Sequence, residues 1–185
     1  MIILFGLAGS GKSTQGKILA EKYGWRWLSV GQVLRDTGEF DETLKAGELV
    51  DDDVVIRLMT GKILEAESEG KDVILDGYPR DVYQAEWLVK NMADRINGAI
   101  ILDVPKSELL TRIEKRGRSD DTKEALAKRF EFVEQNIYTM IELFEEKQIK
   151  VVKVNGVGSF DEVTERLSTE IEKMMFKDGE KNGSN

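Results

Sequence analysis

The 185-residue chain contains no cysteine and no histidine. The first absence excludes disulfides and thiolate zinc sites, so zinc is not expected; the second excludes imidazole bases and Ser/His/Asp-type triads. Chemistry must therefore come from Lys, Arg, Asp, Glu and the backbone. Positive charge is also scarce: 27 Lys and Arg stand against 35 Asp and Glu, a net charge of -8. Such a balance argues against a broad nucleic-acid surface, which needs clustered cations to replace phosphate counterions. Any phosphate site must then be local. No stretch approaches the ~20 apolar residues of a membrane span, and the apolar run Met1 to Phe5 is too short for a signal peptide and lacks a basic leader. A cytoplasmic protein, bound neither to membrane nor to nucleic acid, is the expectation.

What is present is a globular composition, 41% hydrophobic and 34% charged, of a length that suits one domain with a real core. Apolar runs of strand length at Met1 to Phe5, Asp72 to Leu75, Ala99 to Val104 and Val151 to Val154, with a shorter one at Trp25 to Ser29, alternate with helical periodicity. Helices are predicted over 12–23, 32–36, a short stretch after Asp41, 52–69, 83–92, 106–115, 122–147 and 160–175. Strands alternating with helices predict an α/β fold with a parallel sheet covered on both faces. In the longest helix Leu126, Phe130, Val133, Ile137, Ile141 and Phe144 recur at spacings of three and four, which predicts one buried stripe. Residues 177–185, ending KDGEKNGSN, are expected to be a disordered tail.

Gly6-Leu-Ala-Gly9-Ser10-Gly11-Lys12-Ser13 fits G-x-x-x-x-G-K-[ST], with Thr14 next, between a predicted strand and a predicted helix. The glycines let backbone N–H groups curl around an anion and the helix adds its positive N-terminus. Lys12 can then reach terminal phosphates and Ser13 can offer oxygen to Mg2+. This P-loop implies a nucleoside triphosphate and leaves the acceptor open. Asp76-Gly77-Tyr78-Pro79-Arg80 follows a predicted buried strand, so its charges emerge at the carboxyl edge of the sheet, where parallel α/β folds place ligands. Asp76 could organise magnesium and its waters there, and the Arg80 fork matches phosphate oxygens. An ion pair closing a strand-to-helix turn is the alternative.

The ordered motifs GLAGSGKST, LSVGQVLR, GELVDDDVVIRL and DGYPRDVYQAE, followed by the arginine-rich EKRGRSDD, resemble the adenylate kinase family of nucleoside monophosphate kinases over almost the whole chain. The resemblance implies Mg2+-dependent transfer from ATP to a monophosphate, giving two diphosphates. It also implies a three-layer P-loop kinase fold: a five-stranded parallel sheet with a helical monophosphate-binding insert. A single domain is expected over 1–176, with core 1–30, 71–115 and 119–176, insert 31–70, and a lid at 116–118 reduced to a minimal turn. Carried over by position, Gly9, Ser10, Gly11, Lys12, Ser13, Thr14, Arg112 and Gly158 bind ATP. Val30, Gly31, Arg35, Leu49, Val50, Gly77, Arg80 and Gln84 bind AMP, with Arg35 on its phosphate and Gln84 matching the adenine edge. Ser13 and Asp76 organise the metal, largely through water. Lys12, Arg80, Arg116, Arg118 and Arg129 act on the transferring phosphoryl group, where positioned cations carry most of the catalysis.

Two positions depart from the family pattern: Val30 stands for a threonine associated with adenine selection, and Gln32 for an aspartate that helps hold metal-bound water. Asp76 would then carry more of the metal organisation. In EKRGRSDD only Gly117 separates Arg116 from Arg118, where the family has a lid. Glu114, Lys115 and Lys123 read as solvated, and Asp120 and Asp121 as helix caps or arginine orienters. Asn155-Gly156-Val157-Gly158 resembles the loop that meets the ATP adenine, although a plain strand-to-helix turn would look the same. AMP is the expected acceptor. A UMP/CMP kinase of the same family and a non-catalytic ATP-binding module are the alternatives. A monomer is expected, with a covering neighbour subunit as the other possibility.

Overall fold

A computed structural model describes residues 1–46, 48–116 and 123–175, without the side chains of Lys45, Arg116, Lys123, Ala125 and Arg129. Strands β1 (Ile2–Phe5), β2 (Arg26–Ser29), β3 (Val73–Asp76), β4 (Gly98–Asp103) and β5 (Val151–Asn155) form one parallel sheet in the order β2, β3, β1, β4, β5. Helices α1 (Lys12–Tyr23), α2 (Val30–Thr37), α3 (Asp41–Lys45), α4 (Asp52–Ser68), α5 (Val82–Met92), α6 (Lys106–Arg116), α7 (Lys123–Glu146) and α8 (Phe160–Met175) connect or follow the strands. The expected α/β architecture is the observed one. The central strands read IILF and VILD and are buried along their length, as a sheet covered on both faces requires.

Side chains of β1 alternate between two apolar clusters. Ile3 and Phe5 join Leu75, α4, α5 and the Met140–Phe144 end of α7 on one face. Ile2 and Leu4 join Ile74, Ile100, α1 and α8 on the other. Between β2 and β3 the chain makes three helices, α2 to α4, in the region expected as a helical insert. Helix α4 starts where the Asp51 carboxylate accepts from the N–H groups of Asp53 and Val54 at 3.1 and 3.2 Å.

Some boundaries differ from the expectation. Strand β3 runs one residue further, so Asp76 is its last residue, not the first beyond it; β4 runs Gly98–Asp103, and α2 begins at Val30, two residues early. The α7 stripe is deeply buried only at Leu126 and Phe144. Its middle is half-buried because Val133 and Ile137 border a cavity of about 150 Å³ with Leu7, Ile101 and Leu109. Met140, outside the stripe, is buried instead. Among the described residues no helix is long and apolar enough to cross a membrane. The expected tail at 177–185, and Gly117, Arg118, Asp120 and Asp121 of the expected lid turn, lie outside the described residues, as do the side chains of Arg116 and Lys123.

Candidate active site

The loop from Gly6 to Gly11 leaves β1 and enters α1. Gly6 and Gly9 hold positive φ values of 143° and 83°. A Cβ would stand 2.8 Å from the Leu102 carbonyl oxygen at Gly6 and 2.9 Å from Ile113 Cγ1 at Gly9, so both the backbone sign and the space require glycine. Ser10 N–H donates to the Leu7 carbonyl at 3.2 Å, tightening the turn. No described side chain caps α1, which leaves its first-turn N–H groups directed at the loop's concavity. Lys12 lies over the loop, its Nζ donating to the carbonyls of Gly6 at 2.6 Å and Leu7 at 2.9 Å. Thr14 is exposed and Ser10 buried.

Ser13 Oγ donates to Asp76 Oδ2 at 2.6 Å. Asp76 is 3% exposed at the end of β3, in register with Leu4 of β1 and Ser29 of β2. The hydroxyl and carboxylate expected as metal organisers are thus direct neighbours. They form a hard oxygen pair of the kind Mg2+ accepts while keeping several waters and phosphate oxygens. Among the described residues no group of three or more acidic side chains gathers as a metal cage, so a magnesium ion here would take most of its ligands from water and nucleotide.

A cleft of about 640 Å³ runs beside the loop, lined by residues 8–15 and by Arg112, Lys115, Gly156, Gly158 and Phe160 among others. Arg112 spans it: Nε donates to Glu108 Oε1 at 2.8 Å, one guanidinium NH2 to the Ser10 carbonyl at 3.4 Å, and the other to the Gly156 carbonyl at 3.1 Å. Sequence reasoning missed Glu108, although its i,i+4 spacing from Arg112 on α6 was a usable signal. It also missed Gln15, buried on α1, which donates to the Phe160 carbonyl at 3.0 Å and accepts from Thr164 Oγ1 at 2.7 Å. That pair fixes the start of α8 against the loop helix. The Gly158 turn is followed by a capping box, in which Ser159 N–H donates to Glu162 Oε2 at 2.7 Å and holds that carboxyl below its ordinary range.

On the acceptor side, Gly77 (φ 72°) turns the chain out of β3. Gln84 is 1% exposed and held at three points: its N–H donates to Asp81 Oδ1 at 2.9 Å, its Oε1 accepts from the Arg80 N–H at 2.9 Å, and its Nε2 donates to Asp52 Oδ1 at 2.7 Å. Asp52 stands within GELVDDDVVIRL, but its partner lies 32 residues away, beyond what sequence spacing can show. Burial, and then a hydrogen bond with Asp52, raise the Asp81 carboxyl above the ordinary range, opposed by the Gln84 N–H. Beside it the Tyr78 phenol is pushed up, chiefly by burial.

Arg35 and Leu49 are exposed; the Arg35 guanidinium leans on Gln32 Oε1 at 3.5 Å, and Gln32 donates in turn to Asp36 at 2.7 Å. Gly31 packs beside Arg35, whose nearest guanidinium nitrogen lies 3.4 Å from where a Cβ would stand. Val30 and Val50, unlike the exposed Arg35 and Leu49, are buried in the apolar cluster, Val30 at 1% exposure. Arg118 and the side chains of Arg116 and Arg129 lie outside the described residues; only the backbones of Arg116, at the end of α6, and Arg129, in α7, are described.

The adenylate kinase family model matches residues 4–149. The chain is 34% identical to the adenylate kinase of Phocaeicola vulgatus, over 94% of this chain and 98% of that protein. It is 37% identical to that of Maricaulis maris, over 92% and 98%, and 33% identical to that of Thermus thermophilus, over 90% and 94%. The Phocaeicola alignment runs to 188 positions although it takes in 94% of a 185-residue chain, so that relative has positions absent here. The family match and these relatives agree, and the chain belongs to the adenylate kinase family.

Proposed function

We propose that this chain is an adenylate kinase that catalyses the reversible reaction of ATP and AMP to two ADP with Mg2+. The observation that carries this reading is the 2.6 Å hydrogen bond from Ser13 to Asp76, which ties the triphosphate loop to the strand end from which the acceptor-side residues lead off. In the reaction an oxygen of the AMP phosphate forms a bond to the γ-phosphorus while the bond from that phosphorus to the β–γ bridging oxygen breaks. The electron pair stays on ADP. The attacking oxygen is already anionic near neutral pH, since the second phosphate ionisation falls near pH 6, so no general base is needed. A chain without histidine is suited to this chemistry.

Each residue then has a physical task. The P-loop backbone and Lys12 hold the ATP phosphates, and Lys12 neutralises charge on the phosphoryl group in transit. Arg112 covers the donor base and keeps the loop joined to the Gly156–Gly158 turn. Arg35 and Arg80 hold the AMP phosphate, with Gly31, Leu49 and Gly77 alongside, and Gln84 reads the base. Val30 and Val50 support the site from the core. Arg116, Arg118 and Arg129 supply the remaining cations. Magnesium, when bound at Ser13 and Asp76, would screen phosphate charge. The lid is a minimal turn, 116–118, and the enzyme works as a cytoplasmic monomer.

Diphosphate formation from ATP with AMP, CMP, UMP and GMP tests the reading. Fastest transfer to AMP is expected. No transfer to any of them would overturn the kinase reading, and fastest transfer to UMP or CMP would overturn the AMP assignment.

A further inference from the structure

We propose that Asp52 is a positioning residue that locks the sense of the Gln84 amide, so that the acceptor site accepts amino bases and rejects keto bases. The inference rests on Gln84 reading the acceptor base, as proposed above. A glutamine amide offers two N–H donors and two lone pairs, and rotating it by 180° exchanges the two edges. A free glutamine can therefore match adenine, which needs a donor at N1 and an acceptor for its amino group. It can equally match guanine or uracil, which present an N–H and a carbonyl in the opposite sense. Gln84 cannot make that exchange. Its Oε1 accepts from the Arg80 N–H and its Nε2 donates to Asp52 Oδ1. Reversal would set an NH2 against the Arg80 N–H and an oxygen against a carboxylate, two repulsive contacts in place of two hydrogen bonds.

One N–H and one lone pair remain, in a fixed sense. Gln84 is desolvated, so a base of the wrong sense leaves polar groups unpaired with no water to replace the loss. The backbone contributes one half of the lock through Arg80 N–H, which no substitution of that side chain removes. Asp52, at the first turn of α4, contributes the other. Asp81 anchors the main chain of the same glutamine, so the amide pivots about a fixed point.

The test is kcat/KM for AMP and for GMP in the wild type and in Asp52→Ala, Asp52→Asn and Asp52→Ser, with KM for ATP and thermal melting measured alongside. All three replacements lose the acceptor-only carboxylate: alanine offers no partner, while serine and asparagine can turn a donor toward a reversed amide, so each should lower the AMP/GMP ratio by roughly tenfold or more. Serine and asparagine remain polar and keep the test open where alanine fails to fold. KM for ATP should not change. An unchanged ratio in the serine and asparagine variants, or a wild type indifferent between AMP and GMP, would overturn the lock. Failure of the wild type to phosphorylate any monophosphate would instead overturn the kinase reading on which it stands.

Discussion

Ser13 Oγ and Asp76 Oδ2 meet at 2.6 Å across 63 residues of sequence, fastening the first turn of α1 to the end of the central strand β3. The bond joins a neutral hydroxyl to a buried carboxylate, a type that contributes about 1.5–3 kcal/mol. It also holds the charge where nucleotide-bound magnesium would need it. Asp76→Asn separates the two roles, since the amide oxygen can still accept from Ser13 but carries no charge. The variant should melt within a few degrees of the wild type while kcat falls by roughly 10²-fold. Steady-state kinetics with a melting curve check both.

Tyr78 gives a stability prediction of opposite sign. Its ring is 0% exposed, and its hydroxyl has no hydrogen-bond partner among the described residues. A buried, unmet hydroxyl costs on the order of 1–3 kcal/mol. Tyr78→Phe keeps the ring and removes the cost, so it should raise Tm by several degrees in calorimetry without changing kcat.

Asp81 gives a pH dependence. Burial and Asp52 raise its carboxyl pKa in the folded state above the unfolded value. The folded state therefore favours the protonated form, and that contribution is complete below the unfolded pKa and lost as pH rises through the folded one. Asp81→Asn keeps a side-chain oxygen to cap α5 and removes the ionisation. Its Tm relative to wild type should be higher at pH 7 than at pH 4, and melting curves across that range would show the difference closing toward acid.

The connection between α6 and α7 spans residues 117–122. The lid proposed above is a minimal turn, and a segment that short is not expected to shut water out of the site. Water should therefore compete better for the phosphoryl group. Phosphate release from ATP without AMP is expected to exceed that of a relative with a longer connection, and adding AMP should suppress it. Equal hydrolysis in the two enzymes would count against the prediction.

What could be read from sequence was what neighbours in sequence build. Gly6 to Thr14 are contiguous, so the spacing of glycines and lysine stated the loop's chemistry directly. Apolar runs of strand length alternating with helical segments announced a doubly covered parallel sheet. Tertiary partnerships were hidden for the converse reason. Asp52 meets Gln84 only because α4 packs against α5, and Gln15 meets Phe160 across 145 residues. Val30, carried over by resemblance as an acceptor-site residue, packs in the apolar cluster, a placement that its motif did not show.

Nucleotide stoichiometry tests the proposed reaction most directly. ATP and AMP mixed with the chain and Mg2+ should each disappear at the same rate, with two ADP formed per ATP consumed and no inorganic phosphate in step with them. One ADP and one phosphate per ATP, with AMP unconsumed, would contradict it.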